Sequence, residues 1–220
     1  MKIINITSQK YRSEYLNLTL EDGQILKIHQ SIAQNHNLDV NFEVSLDFLN
    51  QLRQEGELRE ALEYATLSLN LKDRSVEELT QKLRGRKFSQ RIIHIVLEEL
   101  KSRKLLNDAS FTQNYIESKL STRASERIKE ELAEKGIPEA MVEEALKNVT
   151  ETSPETPSEE ERAFQILKKR AQQIKTVDKR ALYRRLYDYL NRRGFDPDTI
   201  DNAFKRYKLE IGGGIHESTE

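Results

Sequence analysis

The spacing of apolar residues repeats three times along this chain. Residues 79–97 read LTQKLRGRKFSQRIIHIVL, residues 128–146 read IKEELAEKGIPEAMVEEAL, and residues 186–204 read LYDYLNRRGFDPDTIDNAF. Superimposed without gaps, the three stretches place apolar residues at the same positions: Leu79, Ile128 and Leu186; Leu83, Leu132 and Leu190; Phe88, Ile137 and Phe195; Ile93, Val142 and Ile200; Leu97, Leu146 and Phe204. Each stretch predicts two short amphipathic helices around a tight turn, and stacking such units buries a continuous apolar seam.

A third helix is predicted before each copy. One runs from Leu58 through LREALEYATLSLNLK, and the other two cover residues 108–120 and 159–174, each with apolar residues at helical spacing. The predicted fold is therefore mainly α, with three tandem three-helix repeats in an elongated curved array. The predicted repeats span residues 59–107, 108–149 and 159–208.

The first 45 residues follow a different pattern. KIINITSQ, EYLNLTLED and GQILKIHQ alternate apolar and polar residues, which predicts a small β meander, and Asp22-Gly23 is typical of a hairpin turn. A meander of this size needs a partner, so we expect it to pack on a connecting helix over residues 46–58. Leu46, Leu49 and Leu52 would form the inner face of that helix, and Gly56 would end it.

Particular residues predict where helices begin and end and where the linker and tail lie. Gly136 and Gly194 are predicted to end helices in the left-handed conformation, and Lys87 occupies the equivalent place in the first repeat. Ser75 with Glu78 predicts a capping box. A Pro- and Ser-rich linker is predicted over residues 150–158, and a flexible tail over residues 209–220.

Composition narrows the class of protein. Of the 220 residues, 33% are charged and 36% are hydrophobic, and no apolar run approaches the about 20 residues that span a bilayer. Cys is absent, which excludes disulfides and thiolate metal sites. The N-terminus is too polar for a secretory signal, so we expect a cytoplasmic protein.

The net charge of −1 hides strong segregation along the chain. Residues 1–58 carry −3, residues 59–121 carry +3, residues 122–161 carry −7, and residues 162–220 carry +6. Two interpretations remain open at this point. The basic zones form a footprint for an anionic partner such as nucleic acid, or they are solvated helix faces with ion pairs at i,i+4 spacing.

Catalytic chemistry has little support in the sequence. The four His residues are scattered without partners at metal-ligand or triad spacing, and there is no phosphate-binding loop. We therefore predict no enzymatic activity, no metal and no cofactor.

The candidate contacts are cations on the basic helices. Arg with neighbouring Tyr183 and Tyr187 suits phosphate contact and base stacking. The alternative is that these tyrosines pack at a boundary between repeats with their hydroxyl groups outward. The candidate partner- or DNA-binding residues are Arg74, Lys82, Arg84, Arg86, Lys87, Arg91, Arg180, Arg184, Arg185, Arg192 and Arg193.

These stretches also carry a resemblance to a known family. The motif residues are Arg74-Ser75, Glu78-Leu79, Lys82-Leu83, Leu105-Leu106-Asn107-Asp108, Phe111, Tyr115, Glu131-Leu132, Lys135-Gly136-Ile137, Leu190, Arg193-Gly194-Phe195 and Ile200. Across about residues 60–207 the chain resembles the RecX family of bacterial recombination regulators.

The resemblance implies a non-enzymatic modulator, most simply an inhibitor, of the RecA recombinase. Similar proteins bind in the groove of the RecA–DNA filament and reduce filament growth, ATP hydrolysis and strand exchange, and they bind single- and double-stranded DNA weakly. The expected form is a monomer with no membrane partner. Two alternatives are a free-standing nucleic-acid-binding helical module and a helical adaptor for another protein.

Overall fold

The computed structural model describes residues 1–152, 157–175 and 178–213. It divides into two compact units, residues 1–107 and residues 108–220. The described elements of the first unit are β1 (Ile3–Ser8), β2 (Tyr15–Leu20), β3 (Ile25–His29), α1 (Gln30–Asn35), α2 (Leu46–Leu71), α3 (Val76–Gly85) and α4 (Gln90–Ser102). Those of the second unit are α5 (Asp108–Lys119), α6 (Ser125–Ala133), α7 (Glu139–Thr152), α8 (Glu159–Gln173), α9 (Lys179–Asn191) and α10 (Pro197–Gly213).

The strands form an antiparallel sheet in the order β1-β2-β3, as the alternating pattern predicts. Gly23 has φ of +84° in the β2–β3 turn, which confirms the hairpin at Asp22-Gly23. The outer edge of β1 is also paired, because Ile3 N–H donates to the carbonyl of Phe42 at 3.0 Å and Asn41 N–H donates to the carbonyl of Ile3 at 2.7 Å. Backbone groups that would otherwise be exposed at this edge are thus satisfied.

Helix α1 was not predicted, because its six residues are too few to show a helical period. It follows β3 directly. The imidazole Nδ1 of His29 accepts the N–H of Ser31 at 3.1 Å and caps its first turn.

Gly56 does not end a helix, and that prediction is wrong. Helix α2 continues through it from Leu46 to Leu71, so the predicted connecting helix and the first helix of the first repeat are one element. An added Cβ at Gly56 would lie 3.4 Å from the carbonyl oxygen of Lys27 in β3. Gly56 is the point where the helix passes close to the sheet. Leu46, predicted to face inward, is 64% exposed because the helix packs on the sheet through Leu49 and Leu52.

Helices α2, α3 and α4 share one core, to which Ala61 and Ala65 contribute from α2. Helix α3 starts with the capping box that the sequence predicts, with Ser75 Oγ accepting the N–H of Glu78 at 3.1 Å. It ends at a turn where Lys87 has φ of +65°. Ser89 occupies the N-cap of α4 without a side-chain bond, and its N–H donates to Glu57 Oε1 at 2.6 Å.

The second unit contains two cores, one among α5, α6 and α7 and one among α8, α9 and α10. They meet at the α9–α10 turn. Ala124 N–H, just before α6, donates to the carbonyl of Arg193 at 2.9 Å. Gly136 and Gly194 have φ of +76° and +84°, as predicted for helix-ending glycines.

The threefold register is confirmed at the level of burial. Among its aligned positions only Phe88 and Leu146 remain half-buried, and the others are buried. Helix α7 includes residues 150–152 of the predicted linker, and residues 153–156 lie outside the described residues. Helix α10 includes residues 209–213 of the predicted tail, and residues 214–220 lie outside the described residues.

Candidate partner-binding surfaces

The turn between α3 and α4 collects the candidate cations of the first unit. Arg84 lies in the last turn of α3, Arg86 is its C-cap, Lys87 occupies the left-handed position, and Arg91 lies in the first turn of α4. The turn is held by the N–H of Lys87, which donates to the carbonyl of Arg84 at 2.8 Å. We call Arg84, Arg86, Lys87 and Arg91 the α3–α4 cations. All four are exposed and none has an ion-pair partner among the described residues.

Two other candidates of the first unit are more constrained. Arg74 is half-buried, and its Nε donates to Ser68 Oγ at 2.9 Å and to the Ser68 carbonyl at 3.2 Å. These hydrogen bonds stabilise the connection between α2 and α3. Lys82 is half-buried on α3.

One of the α3–α4 cations also contacts an aromatic ring. Arg86 lies over the ring of Tyr64, with its guanidinium carbon 4.7 Å from the ring centroid.

Helix α9 carries the candidate cations of the second unit. Leu186 and Leu190 are buried on its inner face, and Arg180, Arg184, Arg185 and Arg192 are exposed on its outer faces or at its C-cap. We call these four residues the α9 arginines. Within the described parts of the chain none of them forms an ion pair. Because these charges are not paired with carboxylates among the described residues, they are available to an anionic partner.

Arg193 differs from its neighbours and acts in packing. Its guanidinium carbon lies 3.6 Å from the ring centroid of Tyr189, and its Nη2 donates to the Tyr189 hydroxyl at 2.8 Å. Its carbonyl accepts the Ala124 N–H. Arg170 approaches the same ring at 4.9 Å. This cluster, absent from the candidate set apart from Arg193, supports the α9–α10 turn against the preceding helices.

The tyrosines of α9 pack within their own three-helix core. The ring centroid of Tyr183 lies 4.3 Å from that of Phe204 on α10 and 6.1 Å from that of Tyr187. The Tyr183 hydroxyl donates to Asp201 Oδ1 at 3.3 Å, and partial burial together with this carboxylate raises the pKa of the Tyr183 hydroxyl above its ordinary value. Tyr183 is still 41% exposed, whereas Tyr187 is half-buried.

An apolar groove of about 640 Å³ lies between α9 and α10. We call it the α9–α10 groove, and its lining residues are Lys179, Arg180, Leu182, Tyr183, Leu186, Phe204, Tyr207 and Lys208. Of these, Arg180 is one of the candidate binding residues, and Tyr183 is one of the two tyrosines considered for base stacking. Leu186 belongs to the predicted register of buried positions, and Leu182 precedes it by four residues on the same helix face. Tyr207 and Lys208 follow Phe204 at i+3 and i+4, a spacing that identifies a helix face but not a groove.

Part of the negative charge in the acidic middle of the chain is paired within the fold. Glu131 is buried on α6, accepts the Tyr115 hydroxyl at 2.7 Å, and pairs with Arg123 and Arg127. By contrast, Glu134 at the C-cap of α6 is exposed, as are Glu143 and Glu144 on α7.

One group of side chains among the described residues has the composition of a metal site. Glu14, His29 and Glu63 bring their ligand atoms within 4.8 Å of one another. His29 Nδ1 accepts the Ser31 N–H, so the ring proton belongs on Nε2, which faces both carboxylates at 3.8 Å. Nε2 then lacks the free lone pair that a metal requires. Glu63 also accepts the hydroxyl of Tyr15 at 2.6 Å, and burial followed by this hydrogen bond raises the pKa of Tyr15 above its ordinary value. The arrangement fits an ion-pair network better than a metal centre.

No helix in the described ranges is both long enough and apolar enough to cross a membrane.

Comparisons with known proteins agree with the repeat architecture. Residues 107–146 match the family model "RecX, second three-helix domain", and residues 158–204 match "RecX, third three-helix domain". Two solved structures have related folds. One is a regulatory protein RecX with a TM-score of 0.59 and 20% identity, covering 91% of this chain and 97% of that one. The other is RecX from Lactobacillus salivarius, with a TM-score of 0.54 and 22% identity, covering 70% of this chain and 97% of that one.

Sequence relatives extend over most of the chain. Regulatory protein RecX of Clostridioides difficile (strain 630) is 28% identical over 206 residues, which cover 93% of this chain and 94% of that protein. Regulatory protein RecX of Prosthecochloris aestuarii (strain DSM 271 / SK 413) is 31% identical over 150 residues, which cover 66% of this chain and 92% of that protein. The repeats, the two domain matches and these relatives together establish that the chain belongs to the RecX family of regulatory proteins.

Proposed function

We propose that this protein modulates a RecA recombinase by binding along the RecA–DNA filament and limiting its extension, ATP hydrolysis and strand exchange. Membership of the RecX family is the observation that carries this proposal. In this proposal the protein acts as a monomer in the cytoplasm and by occupancy, without catalytic turnover, metal or nucleotide of its own.

The exposed cations support a role at a nucleoprotein surface. The α3–α4 cations and the α9 arginines have no carboxylate partners among the described residues, so their charge does little for folding. A filament of protein and DNA presents phosphates and acidic side chains. Exposed cations would attract this protein to such groups and fix its position on the filament. Arg74 and Arg193 are assigned to packing instead, because each is already bonded within the fold.

The direct test is an assay of DNA-dependent ATP hydrolysis by RecA on single-stranded DNA. Substoichiometric amounts of this protein should lower the hydrolysis rate, because one bound molecule at a filament end blocks further addition. Electron microscopy of the same samples should show shorter filaments. Unchanged rate and unchanged filament length at an equimolar ratio would remove the proposal.

A free-standing nucleic-acid module is the second candidate, favoured by the α3–α4 cations on a helical hairpin with a tight turn. Salt separates the two candidates. Binding carried by phosphate contacts alone falls steeply between about 50 and 200 mM salt, whereas binding to a filament that includes protein contacts should fall less. Tight, salt-sensitive binding to bare DNA without any effect on RecA would favour the second candidate.

A further inference from the structure

The α9–α10 groove has an apolar floor that no described side chain covers. Leu182, Tyr183 and Leu186 contribute to this floor from α9, and Phe204 and Tyr207 contribute to it from α10. Its volume of about 640 Å³ falls within the roughly 300–1,000 Å³ typical of ligand pockets. A groove between two helices is the shape that accepts the apolar face of a third helix.

The rim of the groove is cationic. Lys179 and Arg180 lie in the first turn of α9, and Lys208 lies on α10 across from them. All three are exposed, and within the described residues none of them pairs with a carboxylate. An apolar floor between unpaired cations is complementary to a segment with apolar side chains on one face and carboxylates beside them.

Nucleic acid fits the same groove less well. Two of the floor residues are aliphatic, and base stacking needs free aromatic faces. The Tyr183 ring packs against Phe204 with centroids 4.3 Å apart, and its hydroxyl is bonded to the Asp201 carboxylate, which would repel a phosphate.

We propose that the α9–α10 groove binds an acidic amphipathic helix of a partner protein. Leu or Phe side chains at i, i+3 or i+4 and i+7 would lie on the floor, and flanking Glu or Asp would pair with Lys179, Arg180 and Lys208. The proposal does not depend on whether the partner is RecA, so it is independent of the filament hypothesis.

The test uses the full chain alone, without RecA or DNA. The probe is a fluorescein-labelled peptide of about 14 residues, or four helical turns, with Leu and Phe on one face and Glu elsewhere. Binding is measured by fluorescence anisotropy. A peptide of identical composition with its apolar residues scattered around the helix is the matched control for charge alone. We expect the amphipathic peptide to bind and the scattered peptide to bind about tenfold more weakly or worse.

Three variants test the location of the site. The double variant Lys179→Glu/Lys208→Glu should weaken peptide binding about tenfold or more. The matched variant Lys72→Glu/Lys169→Glu, which makes the same charge change at exposed residues away from the groove, should change binding less than about twofold. Both pairs are exposed, so circular dichroism should show an unchanged fold. Tyr207→Ser tests the floor separately, and it too should weaken binding of the amphipathic peptide.

Several outcomes would overturn the proposal. Equal binding of the amphipathic and scattered peptides would reduce the effect to charge alone. If oligothymidine binds, the peptide does not, and oligothymidine binding depends on Lys179 and Lys208, the groove is a nucleic-acid site. Peptide binding that appears only after deletion of residues 214–220 would make this segment of the chain the occupant. Self-association abolished by Lys179→Glu/Lys208→Glu in sedimentation would make a second copy the occupant.

Discussion

The Arg162 guanidinium in the first turn of α8 donates a 2.6 Å hydrogen bond from Nη1 to the carbonyl of Leu120, just past the end of α5. Its Nη2 donates to Ser125 Oγ at 3.2 Å at the start of α6. The side chain is 7% exposed, and burial lowers the pKa of Arg162 while the Glu159 carboxylate opposes that effect. One buried cation thus fastens the second three-helix core to the third, using a carbonyl that a helix end leaves without a partner.

Replacing this cation should destabilise the second unit. Arg162→Met keeps much of the apolar stem but leaves the carbonyl of Leu120 unsatisfied, which should cost about 2–3 kcal/mol of unfolding free energy. Urea unfolding followed by circular dichroism measures the change. Lys169→Met, at an exposed position on the same helix, is the control and should change stability by less than about 0.5 kcal/mol. Equal effects of the two substitutions would contradict the role assigned to Arg162.

Alanine substitutions at three glycines should distinguish the cost of backbone strain from the cost of a steric clash. Gly194 has φ of +84°, and an added Cβ would lie 2.4 Å from Cβ of Arg127, so Gly194→Ala should cost about 2–4 kcal/mol. Gly23 has the same φ but open space around it, so Gly23→Ala should cost about 1 kcal/mol. Gly85 has neither constraint, and Gly85→Ala should be neutral or stabilise by up to about 1 kcal/mol. Thermal unfolding of the three variants tests this order, and a Gly194 variant as stable as the Gly85 variant would refute the close approach to Arg127.

Glu60 should make the stability of the first unit depend on pH. Its Oε1 accepts from Arg12 at 2.9 Å and from Lys27 at 3.0 Å, which joins α2 to the sheet. Partial burial alone would raise the pKa of Glu60, but Lys27 and Arg12 outweigh it and hold that pKa below its ordinary value of 4.5. Because the folded-state pKa is lowered, the contribution is fully present above about pH 4.5 and is lost as pH falls through the folded-state value.

Comparison of Glu60→Gln with the unsubstituted chain measures this contribution. At about pH 7 the variant should be less stable by up to about 1 kcal/mol, as expected for a partly exposed ion pair, and the difference should shrink as pH falls below about 4.5. Glu144→Gln removes an exposed carboxylate outside the first unit and serves as control. A stability difference for Glu60→Gln that stays constant from about pH 7 to pH 3 would contradict the linkage.

Charge reversal separates the basic and acidic helices as binding surfaces. Under the proposed function, the triple variant Arg180→Glu/Arg184→Glu/Arg185→Glu should need about tenfold more protein, or more, to inhibit DNA-dependent ATP hydrolysis by RecA. The salt dependence of its binding should also be flatter. Reversal to Arg of Glu134, Glu143 and Glu144 should preserve or strengthen inhibition. Glu130 is left unchanged because it pairs with Arg127 at 2.8 Å. If both variants are folded and only the acidic-helix variant loses inhibition, the α9 arginines are not the binding surface.

Local periodicity made much of the architecture predictable. Helical spacing predicts which face of each helix is buried, because residues three and four apart share a face whatever the helix packs against. Turn chemistry was equally local, since the left-handed conformation at Gly136 and Gly194 and the capping box at Ser75 depend on neighbouring residues alone. Gly56 could not be interpreted in this way. A glycine that ends a helix and a glycine that lets a strand pack close to a helix look identical in sequence.

The sequence by itself determined the mainly α class, the threefold register of buried residues, the N-terminal hairpin and the segregation of charge along the chain. Only the tertiary structure decided which cations have partners. Arg193 is bonded to Tyr189 and Arg162 to Leu120, whereas the α9 arginines form no ion pair among the described residues. The tertiary structure also decided that Leu182 and Tyr207 form one groove. These relationships join residues far apart in the chain, and their distances depend on how whole helices pack, which no local pattern of residues specifies.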